Sequence, residues 1–240
     1  MTESRRSFMG EIIAARSMNT LYIIVDVVIL TLLAILLLIK KRRLTFLFGV
    51  AGGLLYFAVD YGIFYLALGT RQVVGANPAV FLFWLSMSFG FTNFVWIWVW
   101  LNRDLYFKEF TLLIVAGWMC SGLLSQNFGG SFQAIEISRG TASYHGVMAA
   151  ILFVGYAIVC VYNMAVRDQG KRINVLWLLA TGIGVQFGWE AALLLCGIRP
   201  AGIGPLIVNS LIETNLGVPY IYFIQNEIYK RRREDLSPVQ

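Results

Sequence analysis

The chain has 240 residues and is short of charge: Asp, Glu, Lys and Arg make up 13% of it, against roughly a quarter in an average soluble domain. Three cysteines, five prolines and one histidine are present. Because 58% of the residues are apolar or aromatic, a water-solvated globule of this length could not hide them. That excludes an ordinary soluble enzyme, a disordered segment and a nucleic-acid-binding domain. Cys120, Cys160 and Cys196 are far apart, without CxxC or Cys/His metal spacing, and read as single buried thiols. His145 opens an apolar run and reads as a capping or surface residue. HExxH, GxSxG and P-loop motifs are missing, so neither metal nor cofactor is expected. No lysine sits in the last apolar run to form a retinal Schiff base, and no aspartate-rich run is available to ionise a diphosphate through magnesium.

What is present is apolar and periodic at membrane length. A helix needs about 20 apolar residues to span a bilayer. Seven runs approach that length, over 21–39, 44–68, 79–101, 110–125, 146–166, 173–196 and 203–228, the fourth being the shortest. They are continuously apolar and lack the two-residue alternation of barrel strands. The first is flanked by Lys40-Lys41-Arg42-Arg43 with no small-residue cleavage site before it, so it predicts a retained span rather than a signal peptide. Alternate loops collect the basic residues: Lys40 to Arg43, then Arg103 and Lys108, then Arg167, Lys171 and Arg172, then Lys230 to Arg233. The opposite loops hold only Arg71, Arg139 and Arg199, although Arg5, Arg6 and Arg16 precede the first run. The positive-inside rule then puts the C-terminus in the cytoplasm and the N-terminus outside. The expectation is an all-α polytopic membrane protein: one domain over 1–240 with seven transmembrane helices, multi-pass in the endoplasmic reticulum of a eukaryote or the inner membrane of a bacterium. Residues 126–145 read as a long polar outer loop that re-enters or covers the bundle. Trp96, Trp98 and Trp100 read as an interfacial belt.

Of the thirteen acids, four fall inside the runs and away from the last residues of any run: Asp26, Asp60, Glu190 and Glu213. No lysine or arginine does, so the sequence predicts carboxyls without basic partners. An ionised carboxylate in hydrocarbon costs at least a few kcal/mol, which makes the protonated acid the cheaper form and a potential general acid. At about 1.5 Å rise per residue, all four lie in the outer half of the bilayer or near its midplane. Gln186, Asn209, Ser210, Gln126 and Asn127 share that level. Tyr61 and Tyr65 flank Asp60, and Trp189 precedes Glu190. One acidic, aromatic cavity is expected, suited to a cationic intermediate. Asp26, near a helix end, also reads as facing headgroup water, and Asp60 and Glu190 as hydrogen-bonding groups between helices. Glu213, six residues before Pro219, also reads as satisfying backbone freed by that proline. A short internal echo links Phe57-Ala58-Val59-Asp60 to Phe187-Gly188-Trp189-Glu190, and Thr92-Asn93 to Thr214-Asn215, as in a three-plus-one-plus-three layout.

These residues resemble a family. Tyr56-Phe57-Ala58-Val59-Asp60-Tyr61 is similar to the Asn-Phe-Ala-Trp-Glu-Phe stretch in span two of the small seven-span membrane-bound terpene cyclases of meroterpenoid pathways. Glu213, Tyr220-Ile221-Tyr222-Phe223 and Lys230 to Arg233 resemble that family's last-span acid, aromatic stretch and basic tail. The chain has Val-Asp where the family has Trp-Glu; its own Trp-Glu pair is in span six. The resemblance implies that one carboxyl protonates an epoxide or alkene of a farnesyl-type chain and that a carbocation cascade then closes rings. It implies Asp60 and Glu213 as the acid pair, with Glu190 supporting one of them or accepting the final proton. Tyr61, Tyr65, Trp189, Gln186, Asn209 and Asp26 would line the substrate, a lipophilic prenylated molecule entering from the bilayer. The competing expectation is a small proton-coupled transporter with midplane carboxylates.

Overall fold

The computed structural model describes residues 16–139, 144–200 and 202–231. Arg5, Arg6, Arg232 and Arg233 lie outside the described residues. The chain is built mainly of helices, and six of the described helical stretches are long and apolar enough to cross a membrane: Thr20–Ile39, Arg43–Ala67, Pro78–Leu101, Phe107–Ser131, His145–Ala165 and Gln169–Leu195. The first is α1 (Thr20–Ile39), whose N-terminus is capped by the Asn19 side chain accepting from the Tyr22 amide at 3.2 Å. Apolar residues surround it on every side, as suits a helix in lipid. α2 (Arg43–Phe57) continues as a π-helix over Ala58–Ala67. α3 (Pro78–Ser86) starts with Asn77 as cap and Pro78 in the first turn, then passes through a π-helical segment, Met87–Phe91, into α4 (Thr92–Leu101). α5 (Phe107–Phe128), α6 (His145–Ala165) and α7 (Val175–Leu195) follow.

The seventh apolar run is broken. α8 (Ile203–Ile212) stops before Glu213, a 3-10 turn covers Asn215–Gly217, and α9 (Val218–Arg231) resumes. The break precedes Pro219, which has no amide hydrogen for a continuous ladder and restricts the residue before it.

The helix formed by α3 and α4 is the axle of the bundle. Its apolar window is 78% buried, against 11% for α6 and 22% for α1. That placement corrects the expected aromatic belt: Trp96 and Trp98 are buried inside the protein rather than lying at an interface. Trp96 and Trp100 both donate to Thr111 Oγ1, at 2.9 and 2.7 Å, because α5 covers that face of α4. Cysteine is corrected too: Cys196 is buried, but Cys120 and Cys160 face outward.

The expected polar loop over 126–145 is partly ordered. α5 runs on to Phe128, and Ala134–Arg139 forms strand β3, the centre of a three-stranded antiparallel sheet with β1 (Arg16–Asn19) and β2 (Arg71–Val74) on its edges. Ser17 stands opposite Glu136 and Val73 opposite Ile137. The sheet sits where α1, α3 and α6 begin and α5 and α7 end. Successive strand residues face opposite sides. Met18, Ile135 and Ile137 therefore point into the bundle, and Arg16 and Arg71 point the same way, while Ser17, Gln72 and Glu136 face out.

Candidate functional site

The pleat of that sheet overturns the expectation of acids without basic partners. Arg16 is 1% exposed, Arg71 2% and Arg199 6%. Arg71 Nη2 meets Asp60 Oδ1 at 2.8 Å. Glu190 is clamped twice: Arg199 Nη1 donates to Oε2, and Arg16 Nη2 stands 3.7 Å from Oε1. All three arginines come from segments that join or precede the apolar runs, so counting charges within runs misses them. Strand alternation aims two inward, and the turn after α7 returns the third. The amide of Ser17 donates to the Ile198 carbonyl at 2.9 Å, which ties that turn to the edge of the sheet.

Glu190 and Glu213 belong to one polar network. Gln186, one turn before Glu190 on α7, donates from Nε2 to Glu190 Oε1 at 3.3 Å and to Glu213 Oε2 at 3.1 Å. Asn209 Nδ2 donates to Glu190 Oε1 at 3.1 Å, and the Thr214 hydroxyl donates to Gln186 Oε1. Gln186 thus has both amide hydrogens and its carbonyl engaged, which fixes its orientation. Glu213 is only half-buried, and no lysine or arginine stands within ion-pair distance of it among the described residues. Tyr56, on α2, lies near the Asn93 and Thr214 side chains, and Asp60 and Glu213 are both close enough to act on it electrostatically. Phe57, Tyr61 and Tyr65 form a stacked ladder beside Asp60, with centroids 5.2 and 5.5 Å apart.

Asp26 stands apart. It is 1% exposed, so it does not face headgroup water, and it accepts from Trp84 Nε1 at 3.0 Å and Ser88 Oγ at 2.9 Å. Trp189 is buried with Arg16 over its ring at 4.4 Å and Phe89 against it at 4.2 Å. Gln126 and Asn127, expected at the level of the acids, are exposed on the last turn of α5. Among the described residues no three His, Cys, Asp or Glu side chains converge to hold a metal ion.

The arrangement offers two kinds of carboxyl group. Asp60 and Glu190 are paired with arginines. Glu213, at the break between α8 and α9, is met by the neutral Gln186 amide instead. Comparison with family models, with curated proteins and with solved structures gives no match.

Proposed function

We propose that the chain is an integral membrane cyclase with seven spans, its N-terminus and sheet outside and its C-terminus cytoplasmic, that closes rings in a lipophilic farnesyl-type chain after protonation by Glu213. Six apolar helices and the basic residues gathered opposite the sheet support the placement. The observation that carries the chemistry is the placement of Glu213: half-buried at the break between α8 and α9, hydrogen-bonded by Gln186, with no lysine or arginine within ion-pair distance among the described residues. A carboxyl that reaches a bound substrate in apolar surroundings can serve it as a general acid.

The Glu213 proton passes to an epoxide oxygen, breaking a C–O bond, or to an alkene carbon, converting a π bond to a C–H bond. Double bonds of the chain then attack the cationic carbon in turn, each forming a C–C bond. Loss of a proton to the regenerated Glu213 carboxylate ends the cascade, so product and substrate are isomers. The Phe57–Tyr61–Tyr65 ladder supplies ring faces that attract cationic carbon.

The test is reconstitution of the pure protein with farnesylated aromatic epoxides and their alkene analogues, followed by mass spectrometry of the products. Isomers of unchanged mass are expected in ordinary water. In heavy water an alkene start leaves a carbon-bound deuterium, and an epoxide start leaves only an exchangeable one on oxygen. Linear starting material alone across the panel refutes the reading.

A further inference from the structure

The two paired acids share more than an arginine. Aligning Asp60 with Glu190 also aligns Gly52 with Gly182, Phe57 with Phe187 and Ala58 with Gly188. Beyond each acid the chain reads Gly-x-Arg: Gly69-Thr70-Arg71 after the first, Gly197-Ile198-Arg199 after the second. Both glycines are left-handed, with φ of 61° and 70°, so both turns reverse the chain in the same way just before the arginine that pairs back to the acid. The acid and arginine are 11 residues apart in the first case and 9 in the second. The π-helix of ten residues, Ala58–Ala67, accounts for the two extra: its i→i+5 bonding uses about one more residue per turn than an α-helix, over about two turns.

The next helix repeats as well. Thr92-Asn93 follows the π-helical segment Met87–Phe91, and Thr214-Asn215 stands at the break between α8 and α9. Close approach marks both pairings. A Cβ on Gly90 would sit 2.8 Å from the Gly52 carbonyl oxygen, and one on Gly182 would sit 2.7 Å from the Asn215 Cα. The residue one turn before each acid lies at these Thr-Asn pairs: Tyr56 is near Asn93 and Thr214, and Gln186 accepts from the Thr214 hydroxyl.

We propose that α2–α4 and α7–α9 are two copies of one helix-pair unit, in which the pairs Asp60–Arg71 and Glu190–Arg199 are the repeated positioning staples, and that the ligand chemistry sits where the copies differ. In the Thr-Asn register Glu213 corresponds to Phe91, so the acid with no arginine within ion-pair distance among the described residues belongs to the second copy alone. Tyr56 corresponds to Gln186, so the two copies offer a hydroxyl and an amide at matching places. Arg71 and Arg199 act through the carboxylates they hold. This assignment rests on the cyclase reading for its chemistry, but the staples do not depend on it.

The test is a pair of double-mutant cycles, Asp60→Asn with Arg71→Gln and Glu190→Gln with Arg199→Gln, beside Glu213→Gln and the cross-pair Glu213→Gln with Arg71→Gln. Unfolding in detergent is the first readout. Both staple cycles are expected to be non-additive, each double variant being more stable than its worse single variant, and the cross-pair additive. Product formation and its pH profile are the second. The Asp60→Asn/Arg71→Gln double variant is expected to keep making product, more slowly and with the wild-type pH profile, and Asp60→Glu, which keeps the pair, to stay close to wild type. Glu213→Gln is expected to unfold like wild type and to make about 10²–10⁴-fold less product. A folded double variant as inactive as Glu213→Gln would overturn the proposal, because Asp60 would then be a reacting acid; so would additive staple cycles. If wild type itself yields no cyclised product, the cyclase reading fails, and the stability cycles still decide whether the staples exist.

Discussion

Two pairs of acids within the apolar runs behave as opposites in this molecule. Asp60 and Glu190 each receive an arginine from outside the helical runs, and Glu190 receives two. Asp26 and Glu213 have none within ion-pair distance among the described residues and are met by neutral donors: Trp84 and Ser88 for the first, Gln186 for the second. Burial alone does not separate them, since Asp26 is as buried as Glu190. Proximity to the sheet and to the turn after α7 does. An acid that such a segment can reach becomes an anchor for it, and an acid beyond that reach is met by neutral hydrogen-bond donors. Within the second class, Asp26 is sealed between helices, and Glu213 is half-open at a helix break.

The contrast is broken most severely at Glu213. Replacing a positioned general acid with its amide is expected to lower product formation by about 10²–10⁴-fold. The amide of Glu213→Gln keeps an oxygen to accept from Gln186, so the unfolding midpoint in detergent should barely move. Turnover measured on the folded Glu213→Gln variant checks both halves. Turnover near the wild-type rate would remove Glu213 from the chemistry.

Glu190→Ala attacks the other class and is expected to appear as lost stability. It removes the carboxylate that faces Arg16 and Arg199, both almost wholly buried, and breaking a buried pair from one side costs on the order of 3–5 kcal/mol. Asn209 and Gln186 lose an acceptor in the same step. Denaturant unfolding in micelles measures the loss. Hydrogen exchange should quicken at Ser17, whose amide bonds to Ile198 beside Arg199. Asp60→Ala should cost less, because the Asp60 side chain is already 13% exposed and water can reach part of the gap.

Much of this is legible in the sequence. The apolar runs forecast the six long helices, because a helix in lipid must be apolar along its whole length. The acids of span six and the broken seventh run do come together through Gln186. The arginines escape such a reading because loop charge registers there only as a topology signal. A long side chain on a short strand can turn back into the bundle, and the alternation that aims Arg16 and Arg71 inward depends on the pairing of β1 and β2 with β3, segments far apart in sequence. The local trace is the glycine two residues before Arg71 and Arg199, which marks a reversal but not its destination. Trp96 and Trp98 are misplaced for a related reason: composition shows that a helix is apolar but not that it is the central one.

Asp26 gives the smallest expected effect and the sharpest control on the comparison. If arginine pairing is what makes a buried acid indispensable, neutralising Asp26 without changing its shape should cost little. In Asp26→Asn the amide oxygen can accept from Trp84 Nε1, and the new NH₂ can donate to Ser88 Oγ, whose hydroxyl rotates to receive it. Both hydrogen bonds survive, and the loss should stay within about 1 kcal/mol. Asp26→Leu removes the acceptor and leaves a buried indole N–H unmatched, at a cost of about 1–3 kcal/mol. Thermal unfolding of the two variants in one detergent decides the matter. A small loss for Asn and a larger one for Leu means that Asp26 serves as a hydrogen-bond acceptor and not as a charge. If Asn instead costs as much as Glu190→Ala, the negative charge of Asp26 is itself structural, and the division between arginine-held and neutral acids falls.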